Sequence, residues 1–250
     1  KDIYLFCHTS WPDKGFDLPR LLIEHEITNK VLFTYICKNC NFYSFDFWNG
    51  GLTICPKCKQ KGLGLPSVKF GLSDQQLNHI INTFDLYIQY ANSGAMEIPL
   101  IEAAACSVPT ASINYSGPAD VIQKLKGIPL PVKGYVKEME TGCNRAYPDN
   151  ELCSDILLDY LDKEKLRKMG LRCRAMYEKY YSWEETAKKW MNYFDSVEET
   201  DWKAQHWFHE PSKRIPQGLN NSEYVQWLII NVLGDPSKLG SLLHARLIRD

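Results

Sequence analysis

The sequence lacks a surplus of charge of either sign: 29 Lys and Arg stand against 30 Asp and Glu, a formal net charge of −1 over 250 residues. Binding nucleic acid through an overall field needs a clear basic surplus, so no nucleic-acid partner is expected. Any run of about 18 apolar residues, the length a helix needs to cross a bilayer, is also missing, so no membrane span is expected. The first residues lack the basic start and apolar stretch of a secretory leader. No internal repeat is evident. The chain opens on Lys1 rather than Met and goes directly into a predicted strand, which reads as a fragment or a processed product.

Cysteine, by contrast, is plentiful. Five of the nine cysteines (Cys7, Cys106, Cys143, Cys153, Cys173) are scattered on apolar positions and read as buried, inert thiols. The other four are paired, as Cys37-Lys-Asn-Cys40 and Cys55-Pro-Lys-Cys58. Each Cys-x-x-Cys makes a tight knuckle that presents two sulfurs to one ion, and two knuckles complete a closed tetrahedral site. The residues between them are aromatic and β-prone (Phe42, Tyr43, Phe45, Phe47, Trp48), with Asn49-Gly50-Gly51 as a turn signal. The expectation is a zinc ribbon over residues 36–60, with zinc in a structural role and supplying much of the segment's folding energy. A pair of redox dithiols is the alternative. It would want a helix opening directly after a knuckle to lower a thiol pKa, and none is read there. Phe45, Phe47 and Trp48 could face a partner, although a packed aromatic face is the more ordinary reading. Free thiols and metal ligands together point to a reducing, cytoplasmic setting.

The stretch from Phe84 to Asn114 reads as strand, polar loop, helix, strand. Residues 86–90 are apolar and β-rich, 91–97 small and polar, 99–106 a short helix with Pro99 in its first turn, and 109–113 a second buried strand. In open α/β sheets, ligands sit outside the carboxyl ends of the strands and against helix N-termini. Backbone N–H groups there favour phosphate. Residues 93–98 are therefore a candidate phosphate cradle. Glu102, one turn into the helix, is placed to accept hydrogen bonds from a sugar hydroxyl.

These residues resemble the nucleotide-sugar half of GT-B glycosyltransferases, the retaining family 4 enzymes in particular. That family carries Glu-x7-Glu within Glu-Gly-Phe-Gly-x-Pro-x-x-Glu-Ala. Glu102-Ala103 and Pro99 match it; the first Glu falls on Gly94, and the usual Gly falls on Glu97. Upstream, residues 3–17 resemble the family's opening strand and its Gly-Arg-x5-Lys-Gly loop. Lys14-Gly15 matches, Cys7 stands for the Gly and His8 for the Arg. Downstream, Ser182-Trp-Glu-Glu-Thr-Ala resembles the closing Ser/Thr-Trp-x-x-x-Ala helix, opened by a Ser182/Glu185 capping box.

The resemblance implies a Rossmann-like, mostly parallel α/β sheet over residues 1–195. It also implies a retaining hexosyltransferase activity on a nucleotide-sugar donor and a separate amino-terminal domain for the acceptor. It assigns catalytic roles to Lys14, as charge on the diphosphate, and Glu102, toward the ribose hydroxyls. Donor contacts fall to His8, Gly15, Leu72 (toward the base), Ser93, Gly94, Ala95, Met96 and Glu97. His8 has a second reading as the cap of a strand end. A carboxylate at Glu97 would repel a diphosphate unless it turns away.

Further elements are expected at a helix 18–26, strands 31–35 and 65–70, and a helix opened by the capping box of Ser73 and Gln76. A helix over 121–125, an irregular stretch 128–150, and helices 151–161 and 163–181 follow. The basic residues of the last are a solvated face. Residues 196–250 read as a linker (200–218) and a helical pair (222–232 and 238–247), too small for a strong core of their own. A rival to the enzyme reading is a catalytically silent, glycosyltransferase-like scaffold working through its ribbon and helical tail.

Overall fold

A parallel strand–helix–strand unit interrupted by antiparallel strands opens the chain, and two further parallel strand–helix–strand units follow it. The computed structural model describes residues 3–9, 17–67, 69–199 and 217–233. By contacts the chain divides into Lys1–Trp190 and Met191–Asp250.

In the first unit, β1 (Leu5–Cys7) runs parallel to β2 (Val31–Cys37), with Leu5 opposite Val31. They are joined through α1 (Leu18–Glu24), which Asp17 caps by accepting the Arg20 N–H. β2 then turns through the first cysteine knuckle into β3 (Tyr43–Phe47), which returns antiparallel along it. β4 (Thr53–Ile54) and β5 (Lys61–Gly64) flank the second knuckle, and β5 pairs antiparallel with the end of β2 at Ile36 and Cys37. The strand expected at 65–70 is therefore misplaced. The returning strand lies four residues earlier, and over 65–70 only a Ser67–Phe70 bridge forms. The knuckle sets the register, so the chain re-enters the sheet directly after it.

α2 (Asp74–Ile81) carries the expected capping box of Ser73 and Gln76. β6 (Tyr87–Gln89), α3 (Ile98–Ala105), β7 (Thr110–Ile113), α4 (Ser116–Leu125) and β8 (Ile128–Leu130) follow as two parallel strand–helix–strand units. α4 opens five residues earlier than expected. Ser116 takes a positive φ of 58° and lets the helix begin directly after β7. The stretch expected to be irregular contains β8 and an antiparallel hairpin, β9 (Val132–Lys137) with β10 (Asn144–Pro148), tied by an Arg145–Glu138 ion pair at 2.9 Å. α5 (Asn150–Asp159), α6 (Lys163–Tyr180) and α7 (Trp183–Ser196) complete the series. Ser182 accepts the Glu185 N–H at 3.3 Å at the start of α7.

The structure is thus mixed α/β, but the strands form three sheets rather than one. β6–β7–β8 are sandwiched by apolar side chains of α3, α4 and α6 around Leu100, Ile113, Ile122, Leu125 and Leu130. A second core, Leu22, Val31, Phe33, Tyr35 and Leu63, lies around β2 and includes Cys37 and Cys55. β1 and β6 are three residues each, too short for a long ladder, and Phe6 and Phe84 pack ring to ring at 5.3 Å.

Within the second unit, α8 (Asn221–Leu228) opens on a capping box of Asn220 and Glu223 and ends in a π-helical turn, Ile229–Leu233. Residues 200–216 of the linker expected at 200–218, and the helix expected at 238–247, lie outside the described residues. No helix among the described residues is long and apolar enough to cross a membrane.

Candidate metal centre and ligand crevice

The four paired cysteines come together. Their sulfurs all lie within 4.8 Å of one another and could hold a metal ion. Cys37 ends β2 and Cys40 closes the first turn, where Asn41 N–H bonds Cys37 O at 2.8 Å. The second turn repeats this geometry, with Lys59 N–H on Cys55 O at 2.9 Å. Asn41 and Lys59 both take positive φ (54° and 61°), so each knuckle turns back on itself in the same way. Sulfurs pair across the knuckles, Cys37 with Cys58 at 3.6 Å and Cys40 with Cys55 at 3.7 Å. The Phe42 backbone N–H favours the Cys40 thiolate, but desolvation and the neighbouring thiols hold its pKa up, to about 11. Burial opposes ionisation of Cys55, yet the N–H groups of Cys58 and Lys57 bring it down to about 7. Backbone donors aimed at sulfur suit a thiolate that carries charge, as a metal ligand does. Cys37 and Cys55 have no solvent exposure. Such a closed sulfur set fits a structural ion.

The aromatics between the knuckles make ring contacts, although Phe45 and Phe47 remain exposed. Trp48 meets Phe33 edge-on at 5.8 Å, Phe45 meets Phe6 at 5.5 Å, and Phe47 meets Tyr4 at 6.4 Å. Gln76 of α2 donates to Asn41 O and Tyr43 OH meets His79 Nδ1, both at 3.4 Å, so the first knuckle rests on α2.

At the carboxyl ends of β6 and β7, residues 91–97 form a loop fixed at several points. Ala146 N–H of β10 donates to Asn92 O at 2.8 Å. Gly94 O accepts from Ser116 Oγ at 2.9 Å and from Gly117 N–H at 3.2 Å. A Cβ on Gly117 would sit 2.0 Å from Ala95 O, so glycine there is what lets the loop close on α4. The N-terminus of α4 is thereby occupied by a backbone carbonyl.

Of the sequence-read residues, Ser93, Gly94, Ala95, Met96 and Glu97 lie in this loop, and Glu102 stands one turn into α3. Glu102 is half-buried, and desolvation followed by the nearby Asp74 charge raises its pKa. Glu97 occupies the N-cap position of α3 but makes no side-chain cap bond there. Its Oε2 instead accepts from Gln89 Nε2 at 3.2 Å. His8 follows β1, and its Nδ1 meets Thr34 Oγ1 of β2 at 3.1 Å. Thr34 is fully buried, and loss of water around the imidazole lowers the His8 pKa, which disfavours a cation there. Leu72 precedes the N-cap of α2. Lys14 and Gly15 lie outside the described residues.

Three participants were not read from the sequence. Tyr87 donates to Gln89 Oε1 at 2.6 Å, which extends the Glu97 contact back to the sheet. Burial, then the charges of Glu97 and of Glu102, push the Tyr87 phenol up to about 12. Asp74, at the start of α2, is the third. Strand alternation offered a signal for the first two, since 87 and 89 share one face of β6.

No protein-family model matches the chain, and no curated protein matches it. Among solved structures it is similar to a sucrose-phosphate synthase from Thermosynechococcus elongatus, with 12% sequence identity and a TM-score of 0.48. The match covers 78% of this chain and 39% of that one, so the chain spans well under half of that protein's length.

Proposed function

We propose that this chain is the donor-binding part of a retaining glycosyltransferase of the hexosyltransferase type that uses a nucleotide sugar, and that zinc at Cys37, Cys40, Cys55 and Cys58 serves its structure. One observation carries the reading. The β6–α3–β7 unit sets a pinned loop of small residues at the carboxyl ends of parallel strands, with a half-buried carboxylate, Glu102, one turn into the helix. That is where open α/β sheets bind ligands. The family motif residues Pro99, Glu102 and Ala103 fall on this unit.

On this reading Glu102 accepts hydrogen bonds from the ribose hydroxyls. The backbone of residues 93–96 faces the diphosphate, Lys14 and Gly15 supply further contacts to it, and Leu72 lies toward the base. His8, neutral and engaged by Thr34, acts at most as a hydrogen-bond donor through its other nitrogen. Departure of the diphosphate builds negative charge, and preorganised donors aimed at it lower the barrier. The zinc site is separate from this chemistry. The acceptor binds to an amino-terminal partner domain, and the reduced thiols fit a cytoplasmic protein.

A second reading, a silent glycosyltransferase-like scaffold, has one observation in its favour. Neither Gly94 nor neutral His8 supplies the charge that the family motif has at those places. Calorimetry with a panel of nucleoside diphosphates and nucleotide sugars separates the two. An enzyme half binds at least one of them. It loses the diphosphates on Lys14→Ala while binding of the bare nucleoside is unchanged. No heat with any member of the panel, on zinc-replete protein with its amino-terminal partner present, supports the scaffold.

A further inference from the structure

We infer that Glu97 is a ligand-contacting carboxylate, aimed by Gln89 and Tyr87, and that it takes hydroxyl groups of the donor's sugar rather than its diphosphate. The inference rests on the nucleotide-sugar reading above.

A short Asp or Asn at an N-cap turns onto the N–H groups of its own helix, whereas the longer Glu side chain is free to reach elsewhere. Glu97 makes no such cap bond. Its carboxylate folds back over Gly94, so far that a Cβ on residue 94 would lie 1.9 Å from Oε1. What holds it there is a relay from the sheet: Tyr87 OH to Gln89 Oε1 at 2.6 Å, then Gln89 Nε2 to Glu97 Oε2 at 3.2 Å. The Gln89 backbone is fixed in turn, since its carbonyl accepts from Ser112 Oγ at 3.2 Å. Gln89 thus spends its amide on one oxygen of the carboxylate and leaves the other bond-accepting positions to a ligand. Gln89 and Tyr87 are positioning residues, because they act through Glu97.

Electrostatics decide the ligand class. Tyr87 feels both Glu97 and Glu102, so two carboxylates flank this end of the strands, and Asp74 adds its charge near Glu102. A phosphate placed against this group meets like charge, whereas an O–H donor meets acceptors. A polyhydroxyl group fits this surface.

The test is calorimetry on the full chain, comparing a nucleoside diphosphate with its hexose conjugate, for wild type, Glu97→Gln and Gln89→Met. Glu97→Gln should weaken the conjugate roughly tenfold or more, the loss of a hydrogen bond to a charged acceptor, and leave the diphosphate unchanged or tighter. Gln89→Met should lose part of the same conjugate-specific affinity. A second readout needs no ligand. The Tyr87 phenol, isolated by difference against Tyr87→Phe, should titrate at lower pH in Glu97→Gln because a neighbouring negative charge is gone. Equal change, or no change, in the two affinities overturns the inference while the donor reading stands. If zinc-replete wild type binds neither compound with its amino-terminal partner present, the donor reading fails and this inference falls with it. An unmoved Tyr87 titration shows that the relay is not formed, and also overturns it.

Discussion

The carboxylate of Glu97 fills the space that a side chain on Gly94 would need: Oε1 lies 1.9 Å from the Cβ position of residue 94. The two positions are therefore coupled. Gly94→Ala should displace Glu97 from Gln89 and cost about 1 kcal/mol, one neutral-to-charged hydrogen bond largely replaced by water. In a Glu97→Ala background the same change should cost distinctly less. A double-mutant cycle by urea denaturation measures the difference. Simple additivity would place the carboxylate elsewhere.

The cysteine cluster should carry one zinc per chain in freshly purified protein, measured by elemental analysis. Chelation, or Cys55→Ser, should lower the melting temperature and loosen the packing of Trp48 on Phe33, visible as a red shift of tryptophan emission. Both sulfurs of each knuckle are needed, because a structural zinc site is a closed set of four. Four disulfide-bonded cysteines in place of metal would count against the assignment.

Glu102 is held in a place that disfavours its charge. Its folded pKa is raised, so the native state binds the proton more readily than the unfolded chain does. That contribution to stability is present below the ordinary carboxylate pKa and is lost as pH rises through the folded value. Glu102→Gln should accordingly raise the melting temperature at neutral pH, with the gain shrinking as the solution is acidified. The same variant should weaken nucleoside-diphosphate binding by about 1–3 kcal/mol. Stability gained together with binding lost marks a functional residue; loss of both would mark a structural one.

His8 has the opposite sign. Its folded pKa is lowered, so the unfolded chain takes up the proton first as pH falls. The stability it contributes is present above about 6.5, the ordinary histidine value, and fades as pH drops toward the folded pKa. His8→Gln should flatten the stability profile between neutral and mildly acidic pH. In proton NMR the His8 ring should titrate below the exposed histidines, and an unshifted titration would show that the ring stays hydrated.

The four-cysteine cluster was legible because its chemistry is written in spacing. Two Cys-x-x-Cys pairs and an Asn-Gly-Gly turn fix both ligands and hairpin, and Gly50 takes the expected positive φ of 77°. The Ser73/Gln76 and Asn220/Glu223 caps show why some helix starts are readable: side chain and backbone must meet locally. What stayed hidden depends on distant contacts. Residues 128–150 look irregular because β9 and β10 have weak alternation; Arg145–Glu138 and the bond from Ala146 to Asn92 hold them. Likewise Glu97 could be read as repelling phosphate, sitting in solvent or touching sugar. Only the contact with Gln89, eight residues away on β6, fixes where its carboxylate lies, over Gly94.

One strand, β2, carries the metal knuckle at its end and the hydroxyl that holds His8 three residues earlier, at Thr34. Side chains alternate along a strand, so a slip of one residue turns every one of them to the opposite face. An ion held by Cys37 from beyond the sheet would oppose that slip. The metal would then act as a ratchet stop for β2, locking Thr34, Phe33 and the pairing with β1 into one register out of several that the apolar run Val31-Leu32-Phe33 would tolerate. Without an ion at the cluster, the register that brings Thr34 to His8 would rest on packing and strand pairing alone.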